Sequence, residues 1–182
     1  MNKIGRTLTS LAGAMTLLLA GAGIAGASLR DYPDDFEVNP ASMWHVQTLG
    51  SGNAGFDYNI GTARGGRGNG WLHSGYSASS ASAEGTWVST GNGGGSSCRA
   101  SVYANPLNDR SREILAEVFN SRNERIASAE LPLAYGGYQE VGVNFWLPGY
   151  DTVFVRYALY DSGRGYDGEW VRLDDFLLRC TW

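Results

Sequence analysis

Lysine is almost missing from this chain. Lys3 is the only one in 182 residues, and arginine supplies every other cation. The arginines form no run, and the formal net charge is −4. Nucleic-acid binders usually carry a basic patch, so that class is excluded. Histidine is scarce too. His45 and His73 are the only two, and neither sits at metal-ligand spacing from the two cysteines, which argues against a cysteine–histidine zinc site. No G-x-S-x-G turn accompanies them, so a serine nucleophile with a histidine base has no sequence support.

The chain has one long apolar stretch and no second. Leu11–Ile24 is uncharged, follows Lys3 and Arg6, and ends at the small residues Ala25-Gly26-Ala27. This order predicts a secretory signal peptide over residues 1–27, cut after Ala27. An uncleaved anchor is the alternative, but the run is shorter than the roughly 20 residues a membrane span needs. The expectation is a secreted protein, soluble and not membrane-bound in its mature form. Residues 28–182 would form a single monomeric domain. Losing Lys3 and Arg6 takes its formal charge to −6. In an exported chain, Cys98 and Cys180 are expected to form one disulfide. It would close a loop of about 80 residues, worth roughly 4 kcal/mol in the chain-entropy account. It would also pin the last strand to a mid-chain strand.

Glycine is plentiful, with 26 residues clustered between apolar runs, as in an all-β protein with many turns. Strands are predicted at Phe36–Val38, Met43–Leu49, Phe56–Ile60, Gly70–His73, Thr86–Ser89, Cys98–Tyr103, Ile114–Phe119, Arg125–Leu131, Gln139–Trp146, Thr152–Tyr160 and Glu169–Arg179. Several alternate strictly. Val153, Val155, Tyr157 and Leu159 share one face, and Phe154, Arg156, Ala158 and Tyr160 the other. Ser111–Phe119 also reads as a short helix, but Ile114, Ala116 and Val118 alternate, favouring two strands around a turn at residues 120–123. Ser77–Gly85 and Ser89–Ser97 read as loops. The fold class is a two-sheet antiparallel β-sandwich.

The last predicted strand contains Asp174 and Asp175. Burying an unpaired charge costs several kcal/mol at least, so something must compensate. Val171 and Leu173 share one parity, while Phe176, Leu178 and Cys180 share the other. A β-bulge between them would reset the phase. If the first strand pairs beside the last, Glu37 of the acidic stretch Asp34–Glu37 comes near Asp174. Two facing carboxylates need a cation or an arginine between them. A structural calcium ion held by Glu37, Asn69, Asp174 and Asp175 is one solution. Arg64 or Arg67, from the loop Thr62–Gly70, is the other.

"DDFEVNPASMWHV", "GTARGGRGNGWL" and "VRLDDFLLRC" together resemble the galactose-binding-domain-like jelly rolls, which include carbohydrate-binding modules of bacterial secreted enzymes. The likeness runs from about Asp34 to Cys180. It implies a jelly roll in which Glu37 and Asp174 give side-chain oxygens to a structural calcium and the Thr62–Asn69 loop adds carbonyls. It also implies a polysaccharide or glycan as partner.

Six tryptophans and ten tyrosines fit that expectation, because a sugar stacks its C–H face on an aromatic plane while polar neighbours bind its hydroxyls. Trp44, Trp87 and Trp146 alternate with small or polar residues, and at least two are expected in the core. The binding candidates lie at loops and strand ends: Trp71, His73 and Tyr76; Tyr150; and Tyr160, Asp161, Arg164, Tyr166 and Asp167. Glu84, Glu140 and Glu169 could serve a glycosidase if two faced each other across a cleft. The sequence therefore predicts a non-catalytic carbohydrate-binding domain. A protein-binding sandwich and a small glycan-cleaving enzyme are the alternatives.

Overall fold

Period-two alternation becomes eleven antiparallel strands among the described residues. The computed structural model describes residues 28–77, 79–91, 95–107, 112–149, 152–160 and 168–182. The segment read as a signal peptide lies outside them. The strands are β1 (Leu29–Asp34), β2 (Trp44–Leu49), β3 (Asn53–Tyr58), β4 (Gly68–His73), β5 (Ala81–Ser89), β6 (Ser96–Pro106), β7 (Arg112–Phe119), β8 (Arg125–Leu133), β9 (Gln139–Leu147), β10 (Thr152–Tyr160) and β11 (Trp170–Thr181). One helical turn, α1 (Pro40–Met43), precedes β2. No helix among the described residues is long and apolar enough to cross a membrane.

Two sheets form the sandwich. Sheet A runs β3-β4-β11-β6-β9, with β1 also on β11; sheet B runs β2-β5-β10-β7-β8. Their inner faces supply the core. Val153, Val155, Tyr157 and Leu159 meet Leu72, Val102, Val171, Leu173 and Leu178, all fully buried. Cys98 and Cys180 face each other across β6 and β11 and are disulfide-bonded, as expected. The two-strand reading of Ile114–Phe119 and Arg125–Leu131 also holds. Asn123 takes a positive φ in the turn between β7 and β8.

β11 organises sheet A. One edge pairs with β6 along most of its length. The other edge is shared: residues 170–173 pair with β4, and residues 176–181 pair with β1. The first and last strands are thus neighbours. At the junction, Asp174 pairs with Tyr103 but Leu177 with Ser101, which inserts one extra residue. This is the bulge that the phase flip predicts, and Asp175 carries its positive φ.

Three expectations need correction. The first strand is Leu29–Asp34, not Phe36–Val38. The Phe36 N–H donates to Asp34 Oδ1 at 2.9 Å, and Phe36 has φ 59°, which breaks the strand and drives its ring into the core against Trp44. Residues 81–85, read as loop, belong to β5. Their small side chains suit a central strand: Ser82 and Glu84 turn to the core, and Ala81, Ala83 and Gly85 lie low and nearly buried on the outer face. Trp44 is the only member of its trio in the core; Trp87 is 46% and Trp146 62% exposed on outward parities.

Candidate functional site

The outer face of sheet B is built by simple alternation. Once Val153, Val155, Tyr157 and Leu159 point inward, Phe154, Arg156, Ala158 and Tyr160 must point out. Antiparallel register then lines up their neighbours. Phe154 stands between Trp87 and Phe119. Arg156 stands between Gly85 and Glu117, with His45 beyond Gly85. Ala158 stands between Ala83 and Leu115, with Gln47 beyond Ala83. Small residues on the two central strands, Ala81, Ala83, Gly85 and Ala158, leave a trough. Trp87 and Phe154 wall one end, and Tyr160 the other.

The aromatic end is a tight group. Trp87 and Phe154 have centroids 5.0 Å apart, and Phe119 and His45 lie 6.4 and 6.1 Å from Phe154. Gly85 is needed here, since a Cβ would fall 2.4 Å from Phe154 Cζ. Trp87 keeps almost half its surface open. The middle of the trough is polar. Glu117 is 3% exposed and is neutralised by two arginines. Arg156 donates from Nε to Oε2 at 2.9 Å, and Arg125 from Nη1 to Oε1 at 3.1 Å. Arg156 also donates to Gln47 Oε1 at 2.8 Å and lies over the Phe119 ring. A buried carboxylate held by two guanidiniums fixes those donors in place. The result is an aromatic platform beside ordered polar groups, the composition a sugar ring requires.

The predicted binding residues fall into three groups. Tyr160 lies on this trough and is 49% exposed. Trp71, His73 and Tyr76 do come together, but on the outer face of sheet A, where Trp170 joins them. Tyr150, Asp161, Arg164, Tyr166 and Asp167 lie outside the described residues. The sequence reading missed Trp87, Phe154, His45, Gln47, Glu117 and Arg156. One signal was available: Arg156 and Glu117 are opposite charges, each flanked by apolar residues of its strand.

The three glutamates considered for catalysis are not assembled into one cleft. Glu84 is fully buried on the inner side of β5, and Glu140 is on β9 with an exposed side chain. Glu169 precedes β11 and is 8% exposed. Glu84 accepts the Trp71 N–H at 3.3 Å, and burial pushes its carboxyl well above the usual range.

The acids of the bulge sit on the outer side of sheet A, beneath the loop 62–68. That loop turns N–H groups toward them. Arg64 and Gly65 donate to Asp174 Oδ2 at 2.6 and 3.3 Å, and Asp175 N donates to Oδ1. Arg67 and Gly68 donate to Glu37 Oε1 at 2.5 and 2.7 Å. These bonds lower the pKa of Glu37, whereas burial raises that of Asp174 despite its bonds. Asn69 Oδ1 accepts from Thr62 Oγ1. The Arg64 guanidinium pairs with Asp175 and lies 3.6 Å over the Tyr103 ring. The N–H groups therefore face the carboxylates where a calcium ion would need further oxygens. As arranged, this set does not fit calcium.

No family profile matches the chain, and no curated protein matches it. Solved structures do share its fold. The CBM22-2 xylan-binding domain of Paenibacillus barcinonensis Xyn10C superposes with TM-score 0.54 at 12% identity, covering 81% of this chain and 97% of that one. The CBM22-1–GH10 modules of Clostridium thermocellum Xyn10B, solved with xylohexaose, give TM-score 0.55 at 18% identity over 81% of this chain and 28% of theirs. The enzymatically active domain of bacteriophage CBA120 tailspike protein 4 gives 0.54 at 10% identity, covering 75% of this chain and 19% of that chain. The chain thus spans under a third of these longer proteins but nearly the whole of an isolated binding domain. At these identities the likeness is one of fold: a jelly-roll sandwich similar to carbohydrate-binding modules.

Proposed function

We propose that this protein is a secreted, non-catalytic carbohydrate-binding domain that lays an extended polysaccharide along the trough of sheet B. The observation that carries this reading is Trp87: a half-open indole in a strand, backed by Phe154 and set beside the Arg156–Glu117–Gln47 network. A sugar ring stacks on the indole, and Gln47, Arg156 and Arg125 meet the hydroxyls of the next units. The fold shared with domains named as xylan-binding supports it, as does the apolar leader expected to direct export. Neutralisation of Glu37, Asp174 and Asp175 by N–H groups and Arg64, rather than by calcium, belongs to the same proposal.

Affinity electrophoresis in gels containing xylan, galactan, β-glucan or agarose tests it, with reducing-sugar release measured in parallel. The mature protein is expected to be retarded by at least one polymer without releasing sugar. Trp87→Ala is expected to weaken that binding about tenfold or more, the loss of roughly 1.4 kcal/mol or above. Retardation unchanged in Trp87→Ala would overturn the site. Absence of retardation in every gel would overturn the function and favour the protein-binding alternative.

A further inference from the structure

The outer face of sheet A carries an aromatic row that the proposed trough does not use. Pairing of β4 with β11 sets Trp170 opposite His73 and Arg172 opposite Trp71; pairing with β3 adds Asn53 and Gly55 on the other side. Trp71 and Trp170 lie 5.2 Å apart, His73 stacks on Trp170 at 4.2 Å, and Tyr76 meets His73 edge-on at 5.2 Å. These side chains alternate with the core residues Leu72 and Val171, so the core does not require them. The Trp71 ring rests against the backbone of β3, where Gly55 clears it; a Cβ there would come within 3.0 Å of Cζ2. His73 is 5% exposed and acts as the spacer, while Tyr76 is 61% exposed. The fringe is polar. Asn53 is exposed, Asp57 and Arg172 approach to 4.0 Å, and Arg172 Nε is a buried donor with no hydrogen-bond partner.

We infer that Trp71, Trp170 and Tyr76 form a second sugar-stacking surface, and that the two surfaces let one domain bridge two polysaccharide chains. The inference rests on the carbohydrate-binding reading. Its chemistry is the same: aromatic planes fringed by an amide, a carboxylate and a guanidinium. Geometry separates the two surfaces. Packed sheets lie about 10 Å apart, so groups standing on their outer faces are roughly 20 Å apart and point in opposite directions. One extended chain cannot lie along both, so simultaneous occupancy requires two chains. A monomer with two such faces cross-links its polymer without any oligomerisation.

The mature chain is compared with Trp87→Ala, with Tyr76→Ala, with Trp71→Ala, and with Trp87→Ala/Tyr76→Ala. Each is mixed with the soluble polymers of the electrophoresis panel, and light scattering and retardation are read together. Sedimentation shows the protein's own association state. The wild type is expected to raise scattering as a monomer. Each single variant is expected to remain bound, about tenfold weaker at the altered face, with scattering reduced to that of polymer alone. The double variant is expected to lose most retardation. Tyr76→Ala changes an exposed side chain, so it keeps the test valid if Trp71→Ala fails to fold. Loss of all binding in Trp87→Ala would overturn the second surface and leave the first standing. Scattering that persists in Tyr76→Ala and Trp71→Ala would also overturn it. A wild type that binds nothing overturns both.

Discussion

The two outer faces of this sandwich come from the same alternation and meet different fates. Sheet B's outer face has a trough floored by small, nearly buried residues, with a half-open indole at one end and the Glu117 charge paired with two arginines. Sheet A's outer face is partly roofed by its own chain. The loop 62–68 crosses it, anchored by Asp174, Glu37, Asp175 and a hydrogen bond from Tyr138 to Thr62 O. The difference lies in the bulge. In sheet B no strand breaks register near the centre, and charge is absorbed by Arg156 and Arg125 on neighbouring strands. In sheet A the extra residue of β11 opens a gap between β4 and β1, and a loop must fill it. One face is therefore shaped for outside contact, and the middle of the other for internal closure.

Removing the anchor of the roof should show the contrast most strongly. Asp174→Ala leaves the Arg64 and Gly65 N–H groups without their acceptor. A buried group left unsatisfied costs about 1–3 kcal/mol, so a total near 3 kcal/mol is expected, or roughly 6–12 °C in Tm. Calorimetry checks this, and polysaccharide retardation through the trough should survive. Loss of binding with Tm unchanged would mean that the roof, not the trough, meets the ligand.

A smaller effect is expected from Glu84, which reaches from sheet B to the backbone of sheet A. Its folded pKa lies above its ordinary value of 4.5. Its protonated form is favoured in the fold, so its contribution is full below pH 4.5 and is lost as pH rises toward the folded pKa. The slope is about 1.4 kcal/mol per pH unit while only the unfolded state titrates. Glu84→Gln should flatten the decline of Tm above pH 4.5. An identical decline in the variant would place the titrating group elsewhere; burial also raises Asp174.

The smallest effect is expected from chelation. With N–H groups facing Glu37 and Asp174, EDTA should leave Tm where it is. A fall of several degrees, restored by calcium, would show that the loop turns its carbonyls inward and binds the ion.

Much of the fold was legible because period two is a local signal. The opposite parities of Val153–Leu159 and Phe154–Tyr160, the phase flip at Asp174–Asp175 and the cysteine pair each foretold a placement that the structure bears out. Phe36 was not legible, since a turn closed by the Asp34 side chain gives no apolar pattern. Ala81–Gly85 was missed because its small residues look like loop when read alone. They become strand only when Phe154 lies over Gly85 and Glu84 points inward. The trough was illegible for a related reason. Its members come from β2, β5, β7, β8 and β10, and no short segment holds more than a few. Aromatics crowded into one short segment stand out in a sequence, as Trp71, His73 and Tyr76 do, whereas Trp87 stands alone in its segment.

The shared edge of β11 also bears on timing. β4, β6 and β1 all wait for a partner that is made after them, and the sulfur of Cys98 waits with them. As the chain emerges from the ribosome, sheet B can pair from residues up to 160, but sheet A remains in separate pieces until Trp170–Thr181 appears. Closure is then a single late event that joins β1 to β11. A nascent chain halted before Trp170 would keep sheet A open and accessible to proteases.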